Sequence, residues 1–167
     1  MLALQRIIDE DIEERTRLLR ACRSRDIDSY NEKNPTNRMK RLVVVIDEYA
    51  DLIQEASAQG NRRDFEERLR RLAQRVRNIG IHLVIATQRP SSNIVTGDLK
   101  AVLPFRISFK LLQHQDSMTI LDRSGAEDLL GRGDMLVADD AAIKRLQGLY
   151  ITEQQLQSFL DAYSIQG

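Results

Sequence analysis

The chain has 167 residues, of which 42% are hydrophobic and 30% are charged, which is ordinary for one globular domain with a hydrophobic core. Its 25 basic and 25 acidic residues balance, which excludes a global basic field for nucleic acid, so any such contact must be local. A single cysteine excludes an internal disulfide, and no apolar run is long enough to cross a bilayer, so we expect a cytoplasmic chain with no membrane segment.

Residues 1–40 are predicted to form a helix followed by a loop. Within residues 2–22, Leu4, Ile8, Ile12 and Leu19 fall on one helical face. Acidic side chains occupy the first half of this segment and basic ones the second, which complements the helix dipole. Residues 26–40 are polar and contain Asn34-Pro35, a combination that predicts a loop.

An apolar run from Leu42 to Ile46 predicts a strand that is buried on both faces, as in the centre of a mostly parallel sheet. The run ends in Asp47 and Glu48, at the position where an α/β protein places a ligand. Two acids there suit Mg²⁺-nucleotide chemistry, with Asp47 holding the metal through its water shell and Glu48 polarising an attacking water. A buried strand that meets solvent at a charged turn explains the run alone equally well.

Two helices are predicted next, separated by Gly60-Asn61. The second is marked by apolar residues at spacings of three and four and ends at Gly80. Arginines flank its apolar stripe. The ordinary interpretation is a solvated face paired with acidic neighbours, and the sharper one is a subunit interface with an arginine finger that reaches a neighbour's ATP. The candidates for this finger are Arg71 and Arg77, with Arg106 and Arg123 behind them.

A second buried strand, Ile81 to Ala86, ends in Thr87-Gln88-Arg89-Pro90. If the two strands are neighbours, Thr87 and Gln88 lie beside the paired acids, where an amide is able to contact a γ-phosphate or its attacking water. A turn closed by Pro90 is the alternative. His82 lies inside this strand, and we expect it to be a core histidine.

The remaining elements are shorter. Alternation over residues 105–111 predicts a strand with one face open to solvent or to a partner. Further strands are predicted at residues 135–137 and 148–151, and Thr152 is predicted to cap a terminal helix that contains Leu156, Phe159 and Leu160. Strands that alternate with helices predict a layered α/β fold with right-handed crossovers.

Together these segments resemble the motor domain of the FtsK/SpoIIIE family of hexameric DNA translocases. Residues 43–52 resemble that family's Walker B strand and following helix, and residues 72–90 resemble its next helix, strand and sensor. Residues 96–101, 104–109 and 120–136 follow in the family's order. The resemblance implies a three-layer RecA-like P-loop NTPase core with a mostly parallel sheet. In such a core, we expect residues 1–40 to be the helix and loop before Walker B, residues 41–151 to be the sheet core and residues 152–167 to be the C-terminal helix.

The resemblance also implies site roles. Asp47 would coordinate Mg²⁺ indirectly, Glu48 would be the catalytic carboxylate, and Gln88 would be the sensor beside Thr87 in the ATP site. The family hydrolyses ATP in a ring and pulls double-stranded DNA through the pore. ATP and Mg²⁺ are therefore the expected cofactors, and double-stranded DNA and a hexameric homo-oligomer are the expected partners.

The chain departs from the family in one motif. The phosphate-binding loop, Gly-x-x-x-x-Gly-Lys-Ser/Thr, does not occur in the sequence. We therefore expect the C-terminal two-thirds of a motor core, with a sheet that is incomplete at its N-terminal side and an ATPase that is inactive without the missing N-terminal motor segment. The alternative is a non-catalytic, truncated or regulatory FtsK-like subunit that acts through contacts with motor subunits.

Overall fold

The computed structural model describes residue 6 and residues 10–139 and 141–163. The chain divides into two compact units with a boundary between Leu103 and Pro104, and each unit has its own sheet and its own hydrophobic cluster. Leu4 and Ile8 of the predicted first helix lie outside the described residues. Within the described part of the chain, no helix is both long enough and apolar enough to span a membrane.

The first unit is built around two parallel strands. Its helices are α1 (Ile12–Ala21), α2 (Ile27–Lys33), α3 (Tyr49–Ala58), α4 (Arg62–Arg75) and α5 (Gly97–Val102), and its strands are β1 (Leu42–Ile46) and β2 (Ile81–Ile85). The strands pair from Leu42 opposite Ile81 to Ile46 opposite Ile85. Both strands therefore end at the same edge of the sheet, as the sequence predicts.

Only one face of the β1–β2 pair is buried, so the prediction of a strand covered on both faces is wrong. Val44 and Ile46 are 9% and 7% exposed and belong to the main hydrophobic cluster, whereas Val43 and Val45 are 59% and 64% exposed. Successive side chains of a strand point to opposite faces, and the cluster packs against only one of them. The open face includes His82, so the prediction of a core histidine is also wrong.

Residues 27–33 form helix α2 where the sequence analysis predicts a loop. A capping box starts the helix: the Ser29 N–H donates to Asp26 Oδ1 (2.8 Å), and the Asp26 N–H donates to Ser29 Oγ (3.2 Å). Ile27 and Tyr30 are buried, and they hold this polar segment against the core. Two apolar anchors and a serine at the third helical position give too weak a pattern for sequence alone to predict the helix.

Helix α4 buries Phe65, Leu69 and Leu72, as its spacing predicts, but it ends at Arg75 rather than at Gly80. Gly80 has a φ of +73° in the turn before β2, and a Cβ added there would clash with the Ile27 side chain. This position therefore requires glycine for both its backbone conformation and its close approach to α2.

The second unit contains helices α6 (His114–Leu121) and α7 (Glu153–Tyr163) and strands β3 (Arg106–Ser108), β4 (Asp134–Ala138) and β5 (Ile143–Gln147). These strands form an antiparallel sheet in the order β3–β4–β5, so the expected parallel pairing is found in the first unit only. The strand predicted at residues 148–151 is wrong, because the hairpin partner of β4 is residues 143–147. The predicted cap at Thr152 is confirmed: its Oγ1 accepts a hydrogen bond from the Gln155 N–H (3.2 Å).

Candidate functional site

The ends of β1 and β2 are joined by backbone hydrogen bonds just beyond the strands. The Ala86 N–H donates to Ile46 O (2.8 Å), and the Tyr49 N–H donates to Ala86 O (2.9 Å). The parallel register therefore continues past the last strand residue. It brings the Asp47-Glu48 and Thr87-Gln88 pairs to one edge of the first unit.

Glu48 is the centre of this edge. Its Oε1 accepts hydrogen bonds from Thr87 Oγ1 (2.5 Å) and from the Ala50 N–H (3.1 Å), and its Oε2 accepts one from the Gln88 N–H (2.9 Å). The side chain thus caps α3 and also ties the start of that helix to the end of β2. We call this set of three hydrogen bonds the Glu48 clamp.

The Glu48 clamp keeps the carboxylate ionised. The Thr87 hydroxyl lowers the pKa of Glu48 most, the N–H groups of Gln88 and Ala50 lower it further, and partial burial opposes them. A carboxylate oxygen accepts about two hydrogen bonds, so Oε1 is filled and Oε2 keeps one acceptor position. That position suits a water molecule. Because the pKa is lowered, Glu48 is better suited to orienting a water than to holding its proton.

Asp47 and Gln88 have exposed side chains at the same edge. Asp47 follows β1 directly, and an exposed carboxylate at a strand end fits Mg²⁺ held through its water shell. Among the described residues there is no group of three metal-ligating side chains. Gln88 uses its backbone N–H in the Glu48 clamp.

The arginine candidates occupy other places. Arg71 is 67% exposed and pairs with Glu67 (2.8 Å) on α4. Arg77 is exposed in the turn before β2, at the opposite end of the strand from Thr87. Because a strand rises ~3.3 Å per residue, about 15 Å of β2 separates Arg77 from the edge that holds Glu48 of the same subunit.

The two reserve candidates lie in the second unit. Arg106 Nη1 pairs with Asp122 (2.9 Å), and Arg106 Nε is buried without a hydrogen-bond partner. Arg123 is exposed. An arginine already held by a carboxylate is less available to a neighbour, so the structure favours Arg77 over Arg71 and Arg106 as a residue that could reach out.

Sequence reasoning missed two features of the site. Thr87 is predicted as a nucleotide contact, yet its hydroxyl donates to Glu48 and accepts from the Arg89 N–H (3.1 Å). Tyr49 is 2% exposed and packs beside Phe65, with ring centroids 6.4 Å apart. Burial and the nearby Glu66 charge raise the pKa of the Tyr49 hydroxyl. The apolar spacing of α3 and α4 predicts that these helices pack together. It does not show that Tyr49 is buried in their contact.

Comparison with known proteins gives consistent matches. A model of the FtsK/SpoIIIE family matches residues 1–92. The DNA translocase FtsK of Caldanaerobacter subterraneus subsp. tengcongensis is 48% identical over 139 residues, which cover 82% of this chain and 19% of that protein. The DNA translocase SpoIIIE of Bacillus subtilis is 41% identical over 170 residues, covering 95% and 21%. The chain thus spans about a fifth of the length of these curated relatives.

Solved structures agree with these matches. The conjugation coupling protein TcpA of pCW3, solved in monomer form with ATPγS, superposes with a TM-score of 0.82 at 28% identity over 96% of this chain and 47% of that one. The type VII secretion ATPase EccC of Thermomonospora curvata superposes with a TM-score of 0.73 at 23% identity over 89% of this chain and 18% of that one, and it supports the fold alone. These neighbours are RecA-like P-loop ATPases, so the predicted fold class is confirmed.

Proposed function

The chain belongs to the FtsK/SpoIIIE family, and from that premise we propose that it is part of an ATP-driven double-stranded DNA translocase motor. It supplies the Walker B carboxylates and the sensor, within the C-terminal two-thirds of the motor domain. The observation that carries the proposal is the Glu48 clamp, which fixes an ionised carboxylate between the ends of two parallel strands.

Each site residue has a distinct proposed role. Asp47 holds the water shell of Mg²⁺, Glu48 orients the attacking water through the open position on Oε2, and Gln88 contacts the γ-phosphate or that water. Thr87 positions Glu48 and is not itself a phosphate ligand. When bound, Mg²⁺-ATP supplies the phosphoanhydride whose hydrolysis drives movement.

We further propose that the phosphates are held by a loop outside this sequence, since no Gly-x-x-x-x-Gly-Lys-Ser/Thr motif occurs in it. The isolated chain is then expected to have no DNA-stimulated ATPase activity. The complete motor would be a hexameric ring of identical subunits around double-stranded DNA. In such a ring, an arginine before the start of β2 serves a neighbour's site and not its own, which supports Arg77 as the first finger candidate, and Arg71 on α4 remains a candidate that must first leave Glu67.

A second candidate function is a non-catalytic FtsK-like subunit that acts through contacts with motor subunits. The open valine face of β1–β2 favours it, because Val43 and Val45 offer an apolar surface for another chain. The intact set of Asp47, Glu48 and Gln88 favours the catalytic function, and the experiment below separates the two.

The test is a chimaera in which this chain replaces the matching segment of the Caldanaerobacter FtsK. We expect DNA-stimulated ATP hydrolysis from the chimaera, and we expect Glu48→Gln to lower kcat by at least about 100-fold while ATP binding persists. Glu32→Gln is the matched control, because Glu32 is exposed and lies outside the Glu48 clamp. Full turnover in the Glu48→Gln chimaera would refute the assignment. A chimaera that assembles into rings without any turnover would favour the non-catalytic subunit.

The arginine assignment needs mixed rings. Arg77→Ala is expected to spare ATP binding and remove turnover, and Arg20→Ala on the exposed face of α1 is the control. Mixing Glu48→Gln and Arg77→Ala subunits restores part of the activity if the arginine acts on a neighbour, because some interfaces then pair two intact residues. Normal turnover in Arg77→Ala would leave Arg71, Arg106 and Arg123 as candidates.

A further inference from the structure

Arg77 lies in the turn of residues 76–80 between α4 and β2, which we call the Arg77 turn. The backbone of this turn is held by other elements of the first unit. The Ile27 N–H at the start of α2 donates to Asn78 O (2.9 Å), and the N–H of the first residue of β1 donates to the last carbonyl of the turn (2.9 Å). The first N–H groups of a helix have no intrahelical acceptor, so α2 has this donor free for the turn.

The carbonyl of Ile79 lies between these two, and a side chain holds it. Arg15 Nη1 on α1 donates to Ile79 O (3.1 Å) and also to Lys40 O (2.8 Å) in the loop before β1. This nitrogen carries two N–H groups, so it is able to serve both carbonyls. Arg15 therefore connects α1 to the chain just before both strands.

Three consecutive carbonyls of the Arg77 turn thus have partners in three different elements, and of these three bonds the one from Arg15 is made by a side chain. Arg77 itself is exposed, and within the described ranges its guanidinium makes no hydrogen bond and no ion pair. A free cation on a backbone that is already ordered is preorganised for binding, because little further entropy is lost when it meets a partner.

We propose that Arg15 is a positioning residue for Arg77. By holding Ile79 O, it fixes the direction in which the Arg77 turn presents its arginine to the ATP site of a neighbouring subunit. The inference rests on the proposed motor function and on Arg77 as its finger, and it assigns a role to a residue that lies outside the Glu48 clamp. Misplacing a reacting group by about 1 Å lowers a rate by as much as about 100-fold, so a small movement of the turn is enough.

The competing explanation is that Arg15 only anchors α1 to the first unit. Helix α1 also buries Ile12 and Leu19, which belong to the main hydrophobic cluster, so this helix is held without Arg15. Without Arg15, the Ile79 carbonyl loses its partner in a partly buried place, and the turn must shift for water to reach it. Loss of Arg15 should therefore loosen the turn and leave α1 folded.

The first measurement is steady-state ATP hydrolysis by the chimaera with the Caldanaerobacter FtsK. Arg15→Gln should lower kcat by at least about tenfold and leave the KM for ATP within about twofold, because the groups that bind ATP are unchanged. Arg20→Gln is the matched control, since it makes the same change on the same helix, and the Arg20 side chain has no hydrogen bond or ion pair in the described part of the chain. Arg15→Lys should restore most of the turnover, because both hydrogen bonds of Arg15 come from one nitrogen and an ammonium is also able to donate to two carbonyls.

A double variant separates positioning from a general structural role. If Arg15 acts through Arg77, Arg15→Gln/Arg77→Ala should have the same kcat as Arg77→Ala alone, since an absent arginine cannot be misplaced. A general structural loss would instead add to the effect of Arg77→Ala. In mixed rings, Arg15→Gln subunits should regain activity together with Glu48→Gln subunits, as Arg77→Ala subunits do.

Hydrogen exchange of the purified chain gives a readout that needs no nucleotide. In Arg15→Gln, short labelling should show faster exchange in peptides that contain the Arg77 turn or residues 38–41, and unchanged exchange in α3. Arg20→Gln should leave all of these peptides unchanged. Far-UV circular dichroism checks folding, and an unfolded Arg15→Gln would show a general structural role and overturn the inference.

The results also separate failure of the inference from failure of the proposed function. If the unaltered chimaera hydrolyses ATP and Glu48→Gln abolishes this activity, but Arg15→Gln behaves like Arg20→Gln, the inference is wrong and the proposed function stands. Normal turnover in Arg77→Ala, faster exchange throughout the first unit, or a double variant slower than Arg77→Ala would each overturn the inference as well. A chimaera without turnover would refute the proposed function, and the inference with it.

Discussion

Replacing Thr87 with valine removes the hydrogen bond to the ionised carboxylate at the centre of the Glu48 clamp. The change removes the hydroxyl that donates to Glu48 Oε1 at 2.5 Å and leaves a side chain of nearly the same shape. The N–H groups of Ala50 and Gln88 still reach the carboxylate. The variant also removes the acceptor of the Arg89 N–H (3.1 Å), but only the bond to the Glu48 carboxylate depends on an ionised group, so the pH dependence of the effect separates the two.

The magnitude follows from the charge and the partial exposure of Glu48. A hydrogen bond to an ionised group contributes about 1.5–3 kcal/mol. Glu48 is partly exposed, so in the variant a water molecule can take the place of the lost hydroxyl. We therefore expect the free energy of unfolding to fall by about 1–1.5 kcal/mol at pH 7. The effect should depend on pH. The folded-state pKa of Glu48 lies below its ordinary value of 4.5, so the stabilisation is present above that value and disappears as the pH falls through the folded-state pKa.

Urea unfolding of both proteins from pH 7 down to about pH 3 measures this difference. Thr16→Val in α1 is the matched control, because it makes the same chemical change in the same unit and should give a small difference at every pH. Thr87→Ser should restore most of the stability. A Thr87→Val effect that is equally large at pH 7 and pH 3 would show that lost packing or the lost bond from the Arg89 N–H, and not the bond to an ionised carboxylate, is responsible.

Three further predictions test the architecture. Gly80→Ala should lower the free energy of unfolding by about 2–4 kcal/mol in the same urea assay, because it places a Cβ on a left-handed backbone and against Ile27. Gly97→Ala is the control and should be neutral, because the space around Gly97 is open. Val44→Ala should cost about 2 kcal/mol and Val45→Ala less than about 1, since only the first is buried; equal losses would mean that the open face is covered in solution. Arg145→Gln should lower the Tm of the second unit at pH 7, because the Arg145 guanidinium donates to both oxygens of buried Asp134 (2.9 and 2.6 Å) and holds the pKa of Asp134 at about 2. The difference should vanish as the pH falls from about 4 towards 2, and a constant difference across that range would contradict the ion-pair explanation.

The strand-end site was predictable from sequence because its signals are local. An apolar run that ends in acids, and another that ends in Thr87-Gln88, specify two strands and the polarity of their ends. Their parallel pairing then brings the ends together without further information. The Glu48 clamp was not predictable, since which of several polar groups donates to Glu48 depends on side-chain positions that no spacing rule specifies.

Burial was harder to predict than secondary structure. A run of β-branched residues such as 42–46 is apolar on both faces, so its sequence does not show that one face stays open. Helix α2 has the reverse problem, because a polar segment is held by only two buried residues and a capping box. Strand β5 has four exposed residues of five and owes its position to the hairpin with β4, and not to a hydrophobic pattern.

Glu48→Gln carries a structural cost that bears on how its loss of activity is understood. An amide has one oxygen, so it cannot accept from both the Thr87 hydroxyl and the Gln88 N–H through two carboxylate oxygens, and its NH₂ group must face one of these donors. We expect Glu48→Gln to be destabilised by about 1–2 kcal/mol even without nucleotide. A double-mutant cycle with Thr87→Val should give a coupling energy of about 0.5–1.5 kcal/mol, measured by urea unfolding at pH 7. Strict additivity would mean that the two side chains do not interact in solution. If the two residues are coupled, both Glu48→Gln and Thr87→Val loosen the Glu48 clamp, but only Glu48→Gln removes the carboxylate that orients the water. The chimaera assay must then compare the two variants.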